Sequence, residues 1–175
     1  MGRTHPYWSE MHVCLAADMC RAGLDAEHRE LLNRLVREHF VKAPYIGWDS
    51  GHRYLGGHNM AATEQVCAGI CALVWGEEAG CAEGEAVVRR AVDSAFYYGL
   101  NGLDTQGFGY EGTMYMGIPM DVIYLFAELL HQNGRENLFQ TLPPLKTHPS
   151  AIRSLLFPDR IGMAPIADGG VTNPE

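Results

Sequence analysis

Apolar residues recur at helical spacing along most of this chain, and no run alternates convincingly enough to read as a strand. That property confines the chain to an all-α architecture. The spacing predicts a helix over residues 10–21, with Ser9 as its N-cap and Glu10 in its acidic first turn. Asp25 opens a second helix, in which Leu31, Leu32, Leu35, Val36 and Phe40 form the apolar stripe. Arg29, Glu30, Arg34 and Arg37 take its polar side, and Gly23 makes the turn between the two helices. A third helix over 61–76 is built on Val66, Ile70, Leu73 and Val74, and a fourth over 84–99 on Val88, Val92, Ala95 and Phe96. A fifth spans 119–132, with Pro119 in its first turn and Val122, Ile123, Phe126, Leu129 and Leu130 facing inward. Pro143 and Pro144 read as a linker, and a sixth helix follows Pro149 to about Leu156. The expected fold is therefore about six helices in consecutive hairpins, forming part of an (α/α)n toroid; a closed helical bundle is the competing arrangement.

The 175 residues carry 13 Lys+Arg against 21 Asp+Glu, a net charge of −8. That balance disfavours nucleic acid and anionic membrane as partners. No apolar run approaches the roughly 18 residues of a membrane span, and the first residues lack the apolar core of a signal peptide. Cys14, Cys20, Cys67, Cys71 and Cys81 are odd in number and contain no C-x-x-C. Cys67 and Cys71 lie in an apolar helical run and read as small buried hydrophobes. None of the eight histidines repeats an H-x-x-x-H spacing, so neither a metal nor another cofactor is expected.

Two glycine-rich loops interrupt the helical pattern, over residues 45–59 and 101–115. Loops on a rigid scaffold are where chemistry is usually housed. The first offers Trp48, His52, Arg53, Tyr54, His58 and Asn59; the second offers Gln106, Tyr110, Glu111 and Tyr115. Aromatic faces stack on sugars, while guanidinium, imidazole and amide donors meet a carboxylate. The set therefore suits an acidic polysaccharide or oligosaccharide. Asp104 and Glu111 are the only obvious carboxylate pair in the second loop, so a two-carboxylate glycoside hydrolase is the weaker reading.

The segment Gly57-His58-Asn59-Met60, running into a helix that contains Gly69, resembles the helix start of the heparinase II/III-like superfamily of lyases and epimerases. Gly109-Tyr110-Glu111-Gly112, followed by Tyr115, resembles that superfamily's E-G-x-x-Y stretch, and Tyr115 follows His58 by 57 residues, close to the family's spacing. The segment from Leu156 to Asp168 resembles a later turn of the same toroids.

The resemblance implies β-elimination on a uronate polysaccharide. The C5 proton is removed beside the carboxylate, and the C4 glycosidic oxygen then leaves. His58 and Tyr115 are the expected catalytic residues: His58 as base or as the group polarising the carboxylate, and Tyr115 as acid and possible base. Donors must stabilise the developing charge on the carboxylate, and a phenol that acts as base needs cationic neighbours. Asn59, Trp48, Arg53, Tyr110 and Glu111 are the expected substrate-binding residues, with Glu111 orienting its neighbours. Uronate C5-epimerisation begins with the same proton removal and is the alternative; a non-catalytic carbohydrate-binding module or a structural helical module are the others. The resemblance also implies a periplasmic or secreted setting and a β-sandwich after the toroid. No part of residues 1–175 reads as that sandwich, so the expectation is a partial toroid domain from a longer protein.

Overall fold

The computed structural model describes residues 6–40 and 59–156. Among them the chain is all-α, with seven helices and no strand. These are α1 (Pro6–Met19), α2 (Ala26–Leu35), α3 (Asn59–Trp75), α4 (Gly84–Asn101), α5 (Thr113–Gln132), α6 (Leu138–Thr141) and α7 (Pro144–Leu155). The described residues fall into two compact units, 6–40 with 63–94 and 59–62 with 95–156.

In the first unit, α1 begins at Pro6 rather than behind Ser9, since proline suits the first helical position, where its missing N–H has no partner to lose. Gly23 closes a 3-10 turn, Arg21–Gly23. Asp25 caps α2 as expected, accepting from the His28 backbone N–H at 2.9 Å and also bonding His28 Nδ1 at 2.7 Å. After Leu35 the helix widens into a π-helical turn, Val36–Phe40. Leu32, Val36 and Phe40 are buried, whereas Leu31 is 44% exposed and belongs to the outer face. Beyond α3, the Glu78 carboxylate is gripped by both Arg21 and Arg29. Arg21 also lies 4.4 Å above the Trp75 ring, and Trp75 Nε1 donates to Asn33 Oδ1 at 2.8 Å. Cys14, Cys67 and Cys71 are buried free thiols, Cys67 3.8 Å from the Met11 sulfur.

In the second unit, two helices begin earlier than the prolines suggest. Helix α5 starts at Thr113, and Pro119 lies inside it, denying the Tyr115 carbonyl its usual helical donor. Helix α7 starts at Pro144, with Pro149 inside. The carbonyl that Pro149 leaves without a helical donor is that of Leu145, and the Tyr124 hydroxyl donates to it at 3.0 Å. Proline is tolerated in α7 because a side chain from α5 supplies the missing donor. Tyr98, Met116, Met120, Ile123, Phe126, Leu130, Leu138 and Leu142 fill the core of this unit.

Candidate functional site

The second glycine-rich loop is a short hairpin. Leu103 pairs with Gly109 in a single antiparallel bridge, the Asp104 N–H donates to the Phe108 carbonyl at 2.8 Å, and the Tyr110 N–H donates to the Gly102 carbonyl at 3.0 Å. Asp104 braces the turn from inside: its Oδ1 accepts from the backbone N–H groups of Gln106 and Phe108. That carboxylate is engaged in holding the loop, which weakens the reading of Asp104 as one of a catalytic pair. Gly107 sits at φ +92°, and a Cβ there would lie 2.6 Å from His148 Cα. His148, buried on α7, donates from Nδ1 to the Gly107 carbonyl at 2.8 Å and ties the hairpin down. Burial raises the Asp121 carboxyl from its ordinary value, an effect that His148 opposes.

The hairpin delivers Glu111 to the head of α3. Its Oε2 accepts from the backbone N–H of Asn59 at 2.7 Å, across 52 residues of chain. The first N–H groups of a helix have no partner within it and carry the positive end of its dipole, so a carboxylate is well placed there. Glu111 thus serves α3, and not the first turn of α5, which begins two residues after it.

Among the expected site residues, the structure brings Asn59 and Glu111 into direct contact. Asn59 is 1% exposed. Tyr115 lies half-buried in the first turn of α5, shortly after Glu111 in the chain. Tyr110 is 71% exposed. His58, Arg53 and Trp48 lie outside the described residues. An open pocket of about 200 Å³ in the second unit is lined by Leu100, Leu103, Asp104, Pro143, Pro144 and Thr147, among others, and contains none of the residues expected to act on a uronate.

Two residues close to the hairpin were not expected. His148 gives no periodic or motif signal, because its role depends on a contact with a glycine 41 residues away. Tyr98 had a faint one: it is a tyrosine, rather than a phenylalanine, three residues beyond Ala95 on the apolar face of the fourth helix. Its side chain is buried, its hydroxyl has no hydrogen-bond partner, and burial together with the Glu111 charge raises its pKa well above the ordinary tyrosine value.

No family model matches the chain, and no curated protein or solved structure matches it either.

Proposed function

We propose that this chain carries the helical part of a uronate-polysaccharide lyase site, with the head of α3 and the start of α5 as its two sides. The observation that carries the reading is the Glu111–Asn59 hydrogen bond, which joins the two motif-bearing segments of the sequence at one point. A helix N-terminus flanked by a buried asparagine, with a tyrosine just along the chain from the capping carboxylate, is chemically suited to a ligand that bears a carboxylate. In the proposed reaction the C5–H bond breaks and its electrons form the C4=C5 double bond. The C4–O4 bond breaks as O4 takes a proton. His58 is assigned to the C5 proton or to polarising the carboxylate, and Tyr115 to protonating O4. Asn59, Arg53 and Trp48 are assigned to the sugar and its carboxylate.

The test is to incubate the chain with alginate, pectate and glycosaminoglycan substrates and follow the ultraviolet absorbance of unsaturated uronate. Activity that falls at least about a hundredfold in Tyr115→Phe supports the assignment, since a positioned acid contributes roughly that much; an unchanged rate overturns it. Deuterium uptake at C5 from heavy water without an absorbance change identifies epimerisation instead. Binding of uronate without either signal identifies a carbohydrate-binding module.

A further inference from the structure

The hairpin over residues 102–112 is fastened at its tip and at its end to partners far away in the chain. At the tip, His148 of α7 donates from Nδ1 to the Gly107 carbonyl at 2.8 Å. The two backbones also touch there. A Cβ on Gly107 would come within 2.6 Å of both Cα and N of His148, and within 2.9 Å of the Thr147 carbonyl carbon. Gly107 has φ +92°, which glycine alone adopts without strain. At the end of the hairpin, Glu111 Oε2 accepts from the Asn59 N–H at 2.7 Å. Both fastenings lie inside the fold, and all of these residues belong to the second compact unit.

Only four residues separate Gly107 from Glu111, and the hairpin between them is densely braced. The Gly107 N–H donates to the Asp104 carbonyl at 3.0 Å, and Asp104 Oδ1 accepts from the N–H groups of Gln106 and Phe108. The Asp104 N–H and Tyr110 N–H bond across to Phe108 and Gly102. Behind the returning strand, the Gly109 N–H lies 3.1 Å from the Met116 sulfur, and a Cβ on Gly109 would collide with Met116 Cβ. A segment tied together in this way opens as a unit, because its internal bonds outnumber its fastenings. A tip that comes free of α7 therefore loosens the carboxylate that the same hairpin carries.

We propose that His148 is a positioning residue for the head of α3. By holding the hairpin at Gly107, it keeps the Glu111 carboxylate on the Asn59 N–H, so that α7 and the start of α3 are energetically coupled. Where the head of α3 takes a uronate carboxylate, His148 tunes that site from α7 without touching the ligand. This last consequence rests on the reading of the site as one for uronates; the coupling itself does not.

The experiment is amide hydrogen exchange on the whole chain without ligand, read by NMR at Asn59, with the buried Ile123 amide of α5 as the internal standard for overall stability. His148→Phe removes the donor at the tip. It is expected to speed exchange at Asn59 about three- to tenfold relative to Ile123, the value of one hydrogen bond. His148→Asn, whose side-chain amide offers an N–H near the position of Nδ1, is expected to restore slow exchange. In a Glu111→Ala background, His148→Phe is expected to leave Asn59 unchanged, because the link from the hairpin is gone. Equal exchange in wild type and His148→Phe overturns the proposal. Parallel acceleration of Asn59 and Ile123 overturns it too, since that is a loss of stability alone. So does fast exchange in His148→Asn, which assigns the effect to ring packing, or an acceleration that persists without Glu111. If His148→Phe fails to fold, Gly107→Ala replaces it, since a Cβ there drives the tip from α7: faster exchange at Asn59 that requires Glu111 supports the coupling, and unchanged exchange overturns it. Calorimetry with uronate tetrasaccharides checks the consequence separately, and a wild-type chain that binds none overturns the uronate reading while exchange still decides the coupling.

Discussion

Cysteine reactivity depends on how readily the thiol becomes a thiolate and on whether a reagent can reach it. Cys67 is buried with its thiol pushed up to about 12, first by burial and then by the charges of Glu10 and Glu64. Cys71 is raised as well, chiefly by its hydrogen bond with Cys14. Cys20 is exposed and Cys81 half-buried. Iodoacetamide added to the folded chain at neutral pH should therefore label Cys20 first and Cys81 next. Cys14, Cys67 and Cys71 should be protected until denaturant is added, a pattern that peptide mass mapping reads directly. Early labelling of Cys67 would mean that α1 and α3 separate readily in solution. Residue type and apolar neighbours alone mark Cys67 and Cys71 as small buried hydrophobes, with no need of long-range information.

At the scale of the helix, Tyr124 and Pro149 form a functional pair, one supplying the donor for the Leu145 carbonyl that the other cannot. Tyr124→Phe should destabilise the chain by about 1–2 kcal/mol, the cost of an unsatisfied buried carbonyl. In a Pro149→Ala background the helix supplies its own N–H, and the cost of Tyr124→Phe should shrink toward the value of lost packing alone. A denaturant double-mutant cycle measures the difference, and additive costs would refute the pairing. The same pair shows why helix starts were harder to read than helices. The apolar stripes of α3, α4 and α5 were legible, because Val66, Ile70, Val88, Ile123, Phe126 and Leu130 all follow the helical period and are buried. Proline usually marks a helix boundary, yet Pro119 and Pro149 both lie inside helices. What permits Pro149 is a hydroxyl on another helix, 21 residues distant from the carbonyl it serves. Glu111 was legible as a residue of interest, but its partner, a backbone N–H 52 residues away, left no trace in local pattern. Leu31 followed the apolar period of its helix and still faces outward, since the stripe of α2 turns through Leu32, Val36 and Phe40.

For the whole molecule, an excess of acid over base leaves some partly buried carboxylates without a cationic partner, and each of those is a liability at neutral pH. Glu10 is half-buried with one carboxylate oxygen unpartnered, and burial raises its pKa above 4.5 against the opposing pull of His39. A carboxyl whose folded pKa lies above its unfolded value makes the fold more stable as pH falls through the folded pKa toward the unfolded one. Glu10→Gln should therefore melt at a higher temperature than wild type at pH 7, and its advantage should shrink as pH falls through the folded pKa and be gone below the unfolded value of 4.5, where both states are protonated. Melting curves across that range provide the check, and an advantage that persists at the acid end would place its origin elsewhere. The helices identified in the sequence account for the all-α fold, and Glu111 links the expected loop to the head of α3. A different consequence follows from the tie between His148 and Gly107. During synthesis the glycine leaves the ribosome 41 residues ahead of the histidine that secures it. The turn's own bonds through Asp104 can form at once, but its anchorage to α7 has to wait until that histidine has emerged.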